Sequence, residues 1–183
     1  MGWEFTPPGN IVSGFGTALP GSPGDGDIFV LTDSITAPTY QWMLRYVAAK
    51  SSNKWIFIGG AWRAVTVDAA ETTTSTTLVN LATDGPSMTW PVSGVYDTVH
   101  GGISFVNTGF NGNRFHLEVN GVDVAAPRMF VGGAIDGSGT MNFPWRHTSA
   151  VAGQTVKVKY SVDSDTGTFQ NRFLRMIPVA IGG

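Results

Sequence analysis

At 183 residues the chain is long enough for one medium domain, or for a small module joined to a domain of roughly 120 residues, and the absence of cysteine leaves it neither a disulfide framework nor a thiolate metal site. Charged residues make up 13% of it, about half the usual share, against 42% hydrophobic, so a free monomer would have little charge with which to cover its surface. The net charge is -2 and the eleven Lys and Arg fall singly, which excludes a basic stripe able to track a phosphate backbone; nucleic acid is not an expected partner.

Taken in chain order, residues 1–26 are mostly turn chemistry (Pro7-Pro8-Gly9, Pro20-Gly21, Pro23-Gly24-Asp25-Gly26) and are expected to form an irregular N-terminal arm. The start has no basic region followed by an apolar run, so no signal peptide is expected. No stretch has the length of a membrane-spanning helix, and no membrane partner is expected. Residues 27–60 are expected to be a small β-module with strands at Asp27–Thr32, Tyr40–Ala48 and Lys54–Ile58. In the second of these, Trp42, Leu44, Tyr46 and Ala48 fall on one face and Gln41, Met43, Arg45 and Val47 on the other, the period of two of a half-buried strand. A helix over Tyr40–Lys50 ranks second, because Thr39, Tyr40, Trp42 and Tyr46 favour strand.

Residues 61–183 carry short apolar and β-branched runs separated by Gly, Asn, Asp and Ser. The predicted strands are Trp62–Asp68, Thr76–Leu81, Ser87–Val92, Gly94–Thr108, Arg114–Val119, Val122–Val124, Met129–Gly132, Thr140–His147, Thr155–Ser161 and Thr168–Ile181. Asn120-Gly121 between Val119 and Val122 predicts a tight hairpin, since both central residues of that turn need positive φ. Pro178 inside the closing strand requires a bulge or an edge there. The expected fold class is all-β, a jelly-roll sandwich preceded by the module.

No chemistry-bearing cluster emerges. His100, His116 and His147 lack metal spacing, no Gly-x-Ser-x-Gly is present, and Gly132-Gly133-Ala134-Ile135-Asp136-Gly137 is not followed by a phosphate-loop lysine. Asp163-Ser164-Asp165-Thr166-Gly167 starts like a calcium loop but lacks the closing Glu, and a hairpin turn explains it better. Glu118, Asp123 and Asp136 offer carboxylates, with nothing in their spacing to select a glycosidase pair. No catalytic residue, metal ligand or cofactor is expected. A sugar-binding surface is open to Asn142, Trp145, Arg146 and His147, which combine aromatic faces with hydrogen-bonding tips. Core packing explains Phe143 and Trp145 equally well, since both share one strand face.

Leu19-Pro20-Gly21-Ser22-Pro23-Gly24-Asp25-Gly26-Asp27, Tyr40-Gln41-Trp42, Leu44-Arg45-Tyr46 and Lys54-Trp55-Ile56-Phe57-Ile58-Gly59-Gly60 together resemble the β-module of minor tail, head or fibre proteins of tailed bacteriophages. Gly94-Val95-Tyr96 and the closing Asn171-Arg172-Phe173-Leu174-Arg175-Met176-Ile177-Pro178-Val179 resemble the jelly-roll heads of the complement-C1q and tumour-necrosis-factor superfamily. The resemblance implies a virion surface protein, made in the host cytoplasm and assembled as a homotrimer. On this view Trp3, Phe5, Ile11 and Phe15 of the arm attach to capsid or tail proteins, and a host glycan is a possible ligand. Six Trp and eleven Phe in so weakly charged a chain independently favour an oligomer; the order of three comes from the resemblance alone. A glycan-recognising adhesin and a polysaccharide-degrading tail enzyme are the alternatives.

Overall fold

The computed structural model describes residues 12–106, 112–124 and 138–182. Among the described residues every regular element is a strand: β1 (Val12–Gly16), β2 (Ile28–Thr32), β3 (Gln41–Tyr46), β4 (Trp55–Gly60), β5 (Arg63–Val67), β6 (Glu71–Thr73), β7 (Ser87–Thr89), β8 (Gly94–Val106), β9 (Asn113–Val119), β10 (Val122–Asp123), β11 (Ser138–Ala150), β12 (Thr155–Val162) and β13 (Gly167–Ile181). The chain is all-β. It divides into two compact units, Met1–Ala61 with Pro178–Gly183, and Trp62–Ile177.

In the first unit the strands run in the order β1-β2-β3-β4, and the tail of β13 joins β4 through Ala180 opposite Ile56 and Ile181 opposite Trp55. The alternation predicted for β3 is present, with Trp42 and Leu44 buried and Gln41, Met43 and Arg45 exposed, and no helix forms there. Leu31, Trp42, Leu44 and Trp55 are almost wholly buried, each contributing about 1.5–3 kcal/mol. Tyr40 lies against Trp42 at 4.0 Å between ring centroids, and Trp42 Nε1 donates to the Ala61 carbonyl at 3.1 Å.

The arm differs from expectation, because Val12–Gly16 is a strand and pairs parallel with β2. Its glycines read as turn residues, yet here they make room: a Cβ on Gly14 would stand 2.9 Å from the Phe29 ring. Trp3, Phe5 and Ile11 lie outside the described residues. β4 also continues through Gly59-Gly60 rather than ending before them. Gly60 sits at φ +124°, and a Cβ there would come within 2.2 Å of the Gln41 carbonyl oxygen on the neighbouring strand. Gly60→Ala is therefore expected to destabilise this unit by about 2 kcal/mol or more, read as a lowered thermal midpoint.

The second unit is a two-sheet sandwich. In one sheet β8 lies between β13 and β11, with β5 and β6 pairing successive stretches of β13; the other runs β10-β9-β12-β7. The sheets meet through Phe115 of β9, Tyr160 of β12 and Phe169 of β13, whose ring centroids are 5.0–5.7 Å apart. Leu117, Val156, Val158, Leu174 and Met176 complete the apolar part of the core. The Asn120-Gly121 hairpin forms as predicted, with φ of 50° and 83° and Val122 opposite Val119.

Several expectations need correction. Thr76–Leu81 is not a strand; only Val79 bridges, to Tyr160. The segment instead follows β12 in a broken edge, Ser75 O accepting from Val162, Val79 exchanging both bonds with Tyr160, and Pro86 O accepting from Val158. Bends at Thr76-Thr77 and Ala82-Thr83, on either side of the Val79 bridge, keep it from settling into a ladder. Glu71–Thr73, at the start of the threonine run, is the strand. Asp163–Gly167 does not make a hairpin, because β12 and β13 lie in different sheets and the turn crosses between them. Met129–Gly132 lies outside the described residues.

β13 settles the proline conflict. Arg172–Met176 pairs with β5 and Ala180–Ile181 with β4, so Pro178 sits where the ladder changes partner and no N–H is needed. Asn171, at φ 48°, is a bulge. Before it the odd residues Gly167 and Phe169 are buried; after it the even residues Arg172, Leu174 and Met176 are, because one inserted residue moves every following side chain to the other face.

Candidate functional site

Strand alternation divides the four residues proposed for a sugar surface. β11 pairs with β8 in the register Phe143–His100, Trp145–Thr98, Arg146–Asp97 and His147–Tyr96. His147 points inward, where its Nε2 lies 3.1 Å from Thr98 Oγ1, and burial pushes its imidazole down to about 4 against the pull of Asp97. Asn142 and Arg146 are exposed on the outward face, and Trp145 is half-buried. Phe15, the one described member of the arm set, is 44% exposed on β1.

The outward pair meets through two parallel bonds. Arg146 Nε donates to Asp97 Oδ1 at 2.7 Å and Nη2 to Oδ2 at 2.8 Å, a two-pronged contact that raises the guanidinium pKa further. Beside it lies an open groove of about 440 Å³ lined by Trp62, Asp97, Val99, Pro144, Trp145 and Arg146, with Trp62 41% exposed. A smaller hollow of about 300 Å³ adjoins it, running from Trp90 past Trp145 to Ala150. Sequence reasoning missed Trp62 and Asp97. Asp97 and Arg146 are 49 residues apart, so only the β8–β11 register brings them together.

Inside the sandwich lies an unusual polar layer. Arg172 is fully buried, with Nη2 2.9 Å from Glu71 Oε2, Nη1 donating to Thr83 O at 3.3 Å and the guanidinium 5.3 Å from the Tyr160 ring centroid. Burial pushes the Glu71 carboxyl upward, but hydrogen bonds from Thr83 and the charge of Arg172 together hold it below its ordinary value. Burial also drives the Tyr160 phenol well above its usual range. The His100 imidazole is pushed to about 4 by burial and by His116 and His147, against the backbone at Phe115 and Phe143. Asn113 Nδ2 donates to Ser104 Oγ and to the Phe105 carbonyl. Among the described residues no three His, Asp or Glu side chains gather as a metal site.

β8 is turned inside out in polarity. Its inward residues are Tyr96, Thr98, His100, Gly102 and Ser104, whereas Val95, Val99, Ile103 and Phe105 lie on the partly exposed outward face with Asp97. A sheet with one solvated face shows the opposite alternation.

No protein-family model matches the chain, and no curated protein matches it. Among solved structures it is similar to the VP2 subviral particle of infectious bursal disease virus, at TM-score 0.42 and 10% identity over 78% of this chain and 44% of that one. It is also similar to derived T=1 particles of the D431N mutant VP2 of that virus (TM-score 0.37, 11% identity, 81% and 42% coverage) and to the Gx strain of that virus (0.36, 9%, 75% and 42%). The chain spans less than half the length of each. Likenesses this loose decide neither its fold nor its role.

Proposed function

We propose that the chain is a non-enzymatic structural protein of a virion surface, of the tailed-phage kind that its sequence resembles, working as a homotrimeric knob. The observation that carries this reading is the inverted polarity of β8. Apolar side chains sit on a face that a monomer would leave to water, while scarce polar groups are spent on the interior. A neighbouring copy covering Ile103, Phe105 and the adjacent half-buried Phe173 of β13 accounts for both the face and the low charge of the chain. The exposed Phe15 fits an arm that grips another virion protein.

Light scattering coupled to size exclusion is expected to give the mass of three chains at micromolar concentration. Ile103→Glu combined with Phe105→Glu is expected to yield folded monomer, because two carboxylates on that face cannot be desolvated without partners. A wild-type chain that stays monomeric overturns the reading. Deleting residues 1–11 is expected to abolish incorporation into particles while leaving the trimer intact; unchanged incorporation removes the arm from it.

An attachment role is the second reading. The groove beside Trp62 favours it, since a surface knob with an exposed aromatic and a paired Arg–Asp has the means to touch a sugar.

A further inference from the structure

We infer that the groove between Trp62 and the Asp97–Arg146 pair binds a neutral pyranose saccharide. The inference deepens the attachment role and rests on the proposed surface position of the knob.

Three features meet there. Trp62 exposes 41% of its surface beside Val99 and Pro144, an apolar wall against which the C–H face of a sugar ring can lie. Asp97 and Arg146 stand next to it with side chains 32% and 58% exposed, so both ends of the ion pair still reach solvent. Their contact occupies two of the five N–H groups of the guanidinium and one lone pair on each carboxylate oxygen. What remains is a donor beside an acceptor, held at fixed spacing, and that is what two adjacent hydroxyl groups require. The volume of about 440 Å³ falls within the usual range for small-ligand sites, with room for a sugar ring and part of its neighbour.

Charge selects among sugars. Arg146 is already matched by Asp97 through two short bonds, so the groove carries no net charge from this pair. An acidic sugar would have to displace a carboxylate from a two-pronged contact, and an amino sugar would have to displace a guanidinium. A neutral ring needs neither. The pairing is set by the β8–β11 register, in which Arg146 lies opposite Asp97, so the site is rigid before the ligand arrives. It also lies six residues along β8 from Ile103, roughly 20 Å, so a copy docked over the Ile103 end leaves it open.

The test uses the whole chain, with saturation-transfer NMR and tryptophan-fluorescence titration against methyl glucopyranoside, methyl galactopyranoside, lactose and maltotriose, and with glucuronate as the anionic comparison. At least one neutral saccharide is expected to bind and glucuronate to bind more weakly. Trp62→Ala is expected to weaken the neutral ligand about tenfold or more with an unchanged circular dichroism spectrum. Asp97→Asn is expected to reverse the order, because the uncompensated Arg146 then attracts glucuronate. A purely structural role for Asp97 would not move that preference. Wild-type chain that binds none of the neutral probes, binding that survives Trp62→Ala, or a wild-type preference for glucuronate each overturns the inference. A trimer that binds no sugar sinks the groove alone, and a sugar-binding monomer sinks the assembly alone.

Discussion

Glu71→Ala is expected to cost the sandwich unit about 3–5 kcal/mol in urea unfolding at pH 7, a large fraction of the stability of a domain this size. Arg172 has no exposed surface, and its nearest counter-charge is Glu71 Oε2 at 2.9 Å. Removing that carboxylate leaves a guanidinium among the Tyr160 ring and the carbonyls of Thr83 and Ala69, which supply dipoles but no charge. Arg172→Met alone is expected to cost less, because the remaining Glu71 can take up a proton. The double variant Glu71→Leu with Arg172→Met is expected to come close to wild type, since replacing both members of a buried pair restores an apolar core. A Glu71→Ala loss below about 1 kcal/mol would show that the pair is hydrated in solution.

The same pair shows where the sequence stops being readable. The closing strand was legible from its apolar run, and its proline announced an interruption that the change of partner at Pro178 satisfies. That Arg172 would turn inward was not legible, because it depends on the bulge at Asn171. Asparagine tolerates the left-handed conformation, but nothing in the local run marks this one as having adopted it. β3 and the Asn120-Gly121 hairpin were readable for the opposite reason: alternation and turn chemistry are local. β1 was hidden because Gly14 and Gly16 serve packing against Phe29 rather than turning the chain, and because it pairs parallel with the next strand, so no tight hairpin turn marks the pairing. The groove was half visible. The aromatic face of Trp145 and the donors of Arg146 are visible in the local run, but Trp62 and Asp97 reach them only through long-range contacts, and His147, which shares the face of Trp145, is buried against Thr98.

Lowering the pH from 7 to 5 is expected to remove about 4 kcal/mol of sandwich stability through two histidines. His100 and His147 are each held near 4, well below the ordinary 6.5, chiefly by burial. Between pH 6.5 and 4 the unfolded chain binds protons that the folded chain refuses, so stability is complete above that window and falls as the pH drops through it. The loss is about 2 kcal/mol per histidine by pH 5 and about 3 by pH 4, where it levels off. Glu71 acts in the same direction but starts lower, since its ordinary value is 4.5 and the folded value is below that; measurement at pH 5 therefore isolates the imidazoles. Guanidinium midpoints at pH 7 and 5 should separate accordingly, and His100→Gln should halve the difference. The two sites are not independent, because a proton on His147 or His116 further disfavours one on His100. Removing His147 is consequently expected to soften the fall at His100 as well. A midpoint that does not move between pH 7 and 5 would mean that water or a rotated ring reaches these nitrogens inside the sandwich.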